Sequence, residues 1–140
     1  DPDVAEWLTG RSVRVLSESG GGLNAALSEA RDQLPDAEAL LVLPADLAAV
    51  SAQDIHAMVA AATASDGPCV VVAPDRHGEG TNALLLKPPL VIDFAFGSDS
   101  AARHAEQAAT AGARLSWYHS DSIGLDLDMP DDYELYTRQW

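Results

Sequence analysis

The sequence contains little cysteine and no long apolar run. Cys69 is the only cysteine among 140 residues, which excludes an internal disulfide framework and a cysteine-rich zinc site. No stretch approaches the roughly 18 to 20 apolar residues of a membrane-spanning helix, and the first ten residues carry no signal-peptide pattern. We therefore expect a protein of the reducing cytoplasm that neither crosses a membrane nor is exported.

Basic residues are also scarce. Lysine and arginine total 8 against 22 acidic residues, which gives a formal net charge of -14. A surface this negative repels the phosphate backbone of nucleic acids and anionic lipid, so neither is expected as a partner. A small anion such as a nucleotide remains possible, because backbone N–H groups and bound divalent cations create local positive sites.

The remaining composition is that of an ordinary globular protein. Hydrophobic residues make up 47% of the chain and charged residues 21%, far from the composition of disordered segments. At this length one hydrophobic core is expected. We therefore expect residues 1–140 to form a single domain.

Strand and helix signals alternate along the chain. Alternating or continuous apolar runs predict strands at 12–16, 39–46, 69–74, 82–89, 114–118 and 123–127. Apolar residues at helical spacing, with start and stop signals, predict helices at 23–34, from about 51 to 62, at 98–111 and from 130 onward. This order predicts an α/β fold with a mostly parallel sheet flanked by helices, and ligands beyond the carboxyl ends of the strands.

Three aspartates follow predicted strands. Asp46 ends the run LVLPAD, while Asp126 and Asp128 alternate in GLDLDMP, so that in a strand they would share one face. Two like charges this close favour a bound divalent metal, with Asp46 as a further ligand from another strand. The alternative is that Asp46 stabilises a turn and that Asp128 caps the last helix. We favour metal binding for Asp126 and capping for Asp128, which stays an additional metal candidate.

Two loops contain glycine next to hydroxyl residues. Gly80 and Thr81 lie in GEGTN, and Gly97 and Ser98 lie in FGSDS before a predicted helix. Glycines let the backbone approach an anion, and hydroxyl groups can donate hydrogen bonds to it. A plain turn in GEGTN and an N-cap role for Ser98 are the simpler alternatives. No paired zinc-binding histidines, serine-hydrolase elbow, Walker A loop or complete dinucleotide fingerprint occurs.

These segments together, in this order, resemble one family closely. The segments GGLNAAL, LPADL, GTNALLLKPP, FGSDSAARH and GLDLDMPDD resemble the 2-phospho-L-lactate and phosphoenolpyruvate guanylyltransferases of coenzyme F-420 biosynthesis. The resemblance implies a three-layer nucleotidyltransferase fold of the nucleotide-diphospho-sugar transferase type, related to molybdenum-cofactor guanylyltransferases. It also implies dependence on Mg²⁺. The family begins with a first strand and a basic nucleotide-binding loop that precede the segment aligned here, so we expect this chain to lack both.

The resemblance also assigns roles to particular residues. Asp46 and Asp126 match the metal-binding aspartates and are the expected catalytic pair. The remaining matches are Gly22, Leu23 and Asn24 for the nucleotide, and Gly80, Thr81, Gly97, Ser98 and Ser100 for the acceptor.

The activity that the resemblance implies is transfer of GMP from GTP to a phosphorylated three-carbon acid, with release of pyrophosphate. Candidate acceptors are 2-phospho-L-lactate, phosphoenolpyruvate and 3-phosphoglycerate. Two alternatives are a non-catalytic module that senses nucleotides or sugars and a sugar-phosphate nucleotidyltransferase. The expected partners are therefore GTP and the small acid, and a homodimer is a candidate assembly.

Overall fold

Four strands and six helices follow one another in the described part of the chain. The computed structural model describes residues 2–8 and 10–140. The helices are α1 (Pro2–Leu8), α2 (Leu23–Asp32), α3 (Ala52–Thr63), α4 (Ser100–Thr110), α5 (Asp121–Gly124) and α6 (Pro130–Gln139). The strands are β1 (Leu40–Val42), β2 (Cys69–Pro74), β3 (Thr81–Lys87) and β4 (Arg114–Trp117).

The strands form one mixed sheet in the order β1-β3-β2-β4. Strand β3 is antiparallel to both β1 and β2, and β2 is parallel to β4. The prediction of a mostly parallel sheet is therefore wrong for the pairs of neighbouring strands, because β3 is antiparallel to both of its neighbours. The reason is the loop 75–80, which joins β2 to β3. A parallel crossover needs about a dozen residues or more, so this short loop can form only a hairpin.

The two central strands form the core. Strand β2 is buried at every position, and β3 is buried at all positions except Lys87. Met58 of α3 packs with Val71 and Leu85 in one core cluster, whereas Ala108 of α4 packs with Val70 in another. Since Val70 and Val71 are adjacent in a strand, they point to opposite faces. Helices therefore cover both faces of the sheet.

Two of the predicted strands do not form. Residues 12–16 have no regular structure, and Val13 and Val15 are about half exposed. Residues 123–127 are not a strand either, because Ser120 accepts a hydrogen bond from the Ile123 N–H and starts the short helix α5. Alternation of apolar and polar residues indicates a strand only where a partner strand is available. The described residues supply none beside these two runs.

The predicted helix start at Ser51 and Asp54 is confirmed, and Asp54 also binds a second segment of the chain. Ser51 and Asp54 form a capping box at the start of α3. Asp54 is buried, and its carboxylate also accepts hydrogen bonds from Tyr118 (2.9 Å), Ser120 (2.7 Å) and Ser122 (2.9 Å). Burial alone would raise the pKa of Asp54, but the hydrogen bonds from these serines outweigh it and lower the pKa well below its ordinary value. One charged group therefore joins α3 to residues 118–122.

We expect Asp54→Asn to destabilise the fold by about 3 kcal/mol at neutral pH, because hydroxyl and backbone donors lose a charged acceptor. The pKa of Asp54 is lower in the folded than in the unfolded chain. Its stabilisation is therefore complete above the unfolded pKa of about 4 and is lost as the pH falls below it. Denaturant unfolding at several pH values would measure both effects.

The matched control is Asp66→Asn, since Asp66 is exposed. Its free energy of unfolding should stay within about 0.5 kcal/mol of the parent. A stability difference for Asp54→Asn that persists unchanged down to pH 2 would contradict the role of the charge.

Candidate functional site

Three carboxylates from two separate segments of the chain lie close together. Asp46 follows β1, and Asp126 and Asp128 follow α5. The Leu127 N–H donates to the Asp46 carbonyl oxygen at 3.3 Å, which holds the two segments side by side. The negative charge of Asp126, then burial and the charges of Asp46 and Asp132, raise the pKa of Asp128. The structure therefore places Asp46, Asp126 and Asp128 in one negative region.

The donor chemistry of this region fits a magnesium ion. Within residues 2–8 and 10–140, no three acidic, imidazole or thiol groups stand in positions that would hold a metal by themselves. Magnesium needs few protein ligands, because it keeps several waters and shares coordination with substrate phosphates. A carboxylate whose pKa is raised by acidic neighbours, as that of Asp128 is, also stands in a setting that a cation relieves. The metal role of Asp46 and Asp126 stays a prediction.

The capping role expected of Asp128 is wrong. The N-cap of α6 is Met129, whose side chain carries no oxygen, and the Met129 N–H donates to Asp132 Oδ2 at 2.8 Å. Asp132 reaches back from the first turn of the helix, as the acidic partner of a capping box does. Its other oxygen, Oδ1, lies 2.6 Å from Arg76 Nη2. Asp132 therefore fixes the start of α6 and leaves the exposed Asp128 without that role.

The carboxylate of Asp75 closes the glycine loop between β2 and β3 by accepting hydrogen bonds from its backbone. Asp75 Oδ1 accepts from the His77 and Glu79 N–H groups, and Oδ2 accepts from the Gly80 N–H at 2.9 Å. Burial raises the pKa of Asp75, but these backbone donors outweigh it and lower the pKa. The Gly80 N–H is thus engaged within the loop. A Cβ on Gly80 would lie 2.7 Å from Asp75 Oδ2, so glycine is needed here for space.

Thr81 begins β3 and makes one side-chain hydrogen bond within the described chain. Its side chain is nearly buried, at 7% exposure, and Thr81 Oγ1 lies 3.1 Å from His104 Nδ1. The His104 ring is fully buried, and its Nε2 accepts from the Ala95 N–H at 3.0 Å. Burial first, then the charge of Arg103, lowers the pKa of His104 to about 4. The ring is therefore neutral at physiological pH.

The second glycine loop approaches the start of α4. Gly97 has a φ of 117°, a conformation that favours glycine, and Ser98 is exposed while Ser100 is buried. The N-cap of α4 is Asp99, which makes no side-chain cap, so the N-cap role considered for Ser98 is wrong. The Ala101 N–H donates to the Glu79 carbonyl at 3.1 Å. The start of α4 therefore joins the two glycine loops.

The segment predicted to contact the nucleotide lies against this second loop. Gly22 is the N-cap of α2 with a φ of 82°, and Leu23 is 58% exposed. Asn24 donates from Nδ2 to the Phe96 carbonyl at 3.1 Å and accepts from the Phe96 N–H at 2.8 Å. Both ends of the Asn24 amide are therefore committed to the loop. Gly22 and Leu23 remain accessible next to it.

Two clefts lie on the described surface. A cleft of about 330 Å³ is bordered by Asp75, Arg76, His119 and Gly124, so it shares the first loop with the site. A second cleft of about 500 Å³ lies at the end of α2 and is lined largely by prolines and leucines. Neither is lined by Asp46, Thr81 or Ser98. Among the predicted site residues, Thr81 and Ser100 are buried, whereas Leu23 and Ser98 are exposed.

Comparison with known proteins bears on this arrangement of carboxylates and glycine loops. Residues 1–136 match the family described as guanylyl transferase CofC like. The chain belongs to this guanylyltransferase family. The resemblance drawn from the sequence is therefore confirmed. The family match covers the predicted metal, nucleotide and acceptor residues alike.

Curated relatives of the guanylyltransferase family agree with the match. A phosphoenolpyruvate guanylyltransferase of Rubrobacter xylanophilus is 40% identical over 134 residues, which cover 94% of this chain and 64% of the relative. A protein of the same name from Sphaerobacter thermophilus is 40% identical over 96% of this chain and 64% of its own length. A 2-phospho-L-lactate guanylyltransferase of Methanothermobacter thermautotrophicus is 31% identical over 94% of this chain and 58% of the relative. The chain thus spans less than two thirds of these relatives.

Sequence reasoning missed several groups that shape the candidate site. The role of Asp75 could have been predicted from the sequence, because an aspartate before a glycine-containing loop often accepts hydrogen bonds from the backbone of that loop. His104 follows Ala101 and precedes Ala108 at helical spacing, which places it on the buried face of α4. Arg103 is the one arginine of residues 2–8 and 10–140 whose side chain makes no hydrogen bond, ion pair or ring contact. Its Nη2 would lie 3.4 Å from a Cβ on Gly97.

No helix in the described part of the chain is long and apolar enough to span a bilayer.

We expect Gly80→Ala to lower the free energy of unfolding by about 1 to 3 kcal/mol, because the added methyl group must displace the Asp75 carboxylate. Thermal or denaturant unfolding would measure the loss. The control is Glu79→Ala in the same exposed loop, which should have little effect. In an Asp75→Ala background the cost of Gly80→Ala should shrink, and an undiminished cost would show that the contact with Asp75 is not its source.

Proposed function

We propose that the protein transfers GMP from GTP to the phosphate of a small phosphorylated three-carbon acid and releases pyrophosphate, in coenzyme F-420 biosynthesis. The observation that carries the proposal is that three aspartates and two glycine loops lie at the same end of the sheet. Asp46, Asp126 and Asp128 share a negative region, and the two glycine loops meet at the start of α4. The names of the relatives, which refer to phosphoenolpyruvate and 2-phospho-L-lactate, support the same chemistry. We also propose the three-layer architecture of the nucleotidyltransferases for the whole protein.

In this proposal Asp46 and Asp126 hold Mg²⁺, with Asp128 beside them. The ion, when bound, supplies positive charge to phosphate oxygens in an otherwise acidic protein. Asp46 and Asp126 need no proton transfer for this role, because they act as carboxylates. The Leu127–Asp46 backbone hydrogen bond joins the two segments that carry these carboxylates. Catalysis then rests on positioning and electrostatics, without a covalent intermediate.

The acceptor is proposed to bind between Thr81, Gly97, Ser98 and Ser100, with Gly80 shaping the loop. Hydroxyl groups and the unpaired guanidinium of Arg103 supply donors for a small, highly charged anion. A sugar phosphate would need more side chains to satisfy its hydroxyl groups, and these loops consist mainly of small residues. Gly22, Leu23 and Asn24 are proposed to lie against the nucleotide. The choice of guanine as the base rests on the family alone.

The test is a pyrophosphate-release assay on the full-length protein with GTP and Mg²⁺. Phosphoenolpyruvate, 2-phospho-L-lactate, 3-phosphoglycerate and a hexose 1-phosphate are added in turn, and ATP replaces GTP as the nucleotide control. We expect turnover with at least one three-carbon acid and a preference for GTP. Turnover with the hexose phosphate alone would assign the protein to the sugar nucleotidyltransferases. No turnover with any acceptor would favour a non-catalytic binding module.

We expect Asp46→Asn and Asp126→Asn each to lower the rate of pyrophosphate release at least about 100-fold, which corresponds to roughly 3 kcal/mol of transition-state stabilisation. Higher Mg²⁺ should recover part of the loss. Asp36→Asn is the matched control, because Asp36 is exposed in the turn after α2. Losses for Asp46→Asn and Asp126→Asn no larger than that of the control would rule out the metal role.

Thr81→Val and Ser98→Ala should raise the KM for the acceptor about tenfold each, because one hydrogen bond to a charged ligand is lost. The KM for GTP should change much less. Steady-state kinetics with each substrate varied in turn would separate the two. Equal losses for both substrates would indicate that these side chains serve only the fold.

A further inference from the structure

A buried histidine contacts one residue of the proposed acceptor pocket and has no assigned role. His104 lies on the inner face of α4 and bridges Thr81 at the start of β3 to Ala95 in the segment before the second glycine loop. Phe96 also packs edge-on against its ring, with ring centroids 5.1 Å apart. The partners of His104 therefore come from two segments around the acceptor loops, the start of β3 and residues 95–96.

The hydrogen bonds fix which ring nitrogen carries the proton. The Ala95 N–H can only donate, so His104 Nε2 must offer a lone pair. A neutral imidazole has one N–H, which must then be on Nδ1. That N–H points to Thr81 Oγ1 at 3.1 Å, so the threonine oxygen is the acceptor in this pair.

This assignment determines the direction of the Thr81 hydroxyl proton. Because Oγ1 receives the His104 proton, its own O–H must point away from the imidazole. Within residues 2–8 and 10–140, no acceptor for that O–H is found. Thr81 is therefore held as a donor with an unused proton. An anion is the ligand that such a donor suits.

We propose that His104 is a positioning residue, which holds the Thr81 hydroxyl as a hydrogen-bond donor to an anionic oxygen of the phosphorylated acid acceptor. The proposal rests on the proposed function, because it concerns the acceptor of that reaction. His104 itself does not touch the acceptor and transfers no proton. It acts through Thr81, and it also ties that residue to the loop that contains Gly97.

Two substitutions at this one position separate the two hydrogen bonds. The Asn side chain places its amide nitrogen as many bonds from Cβ as His104 Nδ1, so His104→Asn keeps a donor to Thr81 and loses the acceptor for Ala95. The Gln side chain places its amide oxygen as far as Nε2, so His104→Gln keeps the acceptor for Ala95 and loses the donor to Thr81. Each variant is thus the control for the other.

The experiment measures the KM for phosphoenolpyruvate or 2-phospho-L-lactate, and that for GTP, in the full-length protein. We expect His104→Gln to raise the acceptor KM about tenfold with little change for GTP, and His104→Asn to raise it less than about threefold despite a lower Tm. In a Thr81→Val background, His104→Gln should add less than a twofold change, because His104 acts through that hydroxyl. An equal effect in both backgrounds, an equal rise of the GTP KM, or an unchanged acceptor KM overturns the proposal.

A measurement on the unsubstituted protein serves where a variant does not fold. Long-range ¹H–¹⁵N NMR spectra should show His104 protonated at Nδ1 near neutral pH, with a change in the Nδ1 resonance when the acceptor binds. A proton on Nε2, or no response to an acceptor that is turned over, overturns the proposal while the function stands. A protein that neither binds nor turns over any of the acids refutes the proposed function and this inference together.

Discussion

The buried carboxylate of Asp54 is the group on which the arrangement of the site depends. It receives hydrogen bonds from Ser51 at the start of α3 and from Tyr118, Ser120 and Ser122 in the segment after β4. That segment continues into Asp126 and Asp128. Because a buried charge is costly unless it is fully paired, the chain has few other ways to arrange these residues. The position of Asp126 and Asp128 near Asp46 therefore depends on Asp54, which is not itself part of the site.

The nucleotide and acceptor segments are joined by a continuous series of contacts. Asn24 holds the backbone of Phe96, the ring of Phe96 packs on His104, and His104 contacts Thr81. A second connection runs from the loop of Asp75 to the start of α4 through the Glu79 carbonyl. Buried hydrogen bonds such as those of the Asn24 amide and the His104 ring favour one arrangement of the chain. The two halves of the proposed pocket are therefore held in register by the fold itself.

The sequence allowed the best predictions where the signal is local. The bounds of β2 and the capping box at Ser51 and Asp54 are confirmed, because a long apolar run and a cap depend on adjacent residues. Residues 12–16 were predicted wrongly, because a strand needs a partner that alternation does not reveal. The proton position on His104 depends on the Ala95 N–H, nine residues away along the chain, and no spacing rule reports it.

The short connection between β2 and β3 has a consequence for the order of folding. Val71 pairs with Leu85, 14 positions along the chain, whereas Leu41 reaches the same residue across 44 positions and Val71 reaches Ser116 across 45. Closing a shorter loop costs less entropy, and contacts of low sequence separation form faster. The apolar hairpin at the centre of the sheet is thus the natural nucleus. On this order of folding, the segments that carry the site aspartates assemble around the hairpin later. The candidate site therefore forms last.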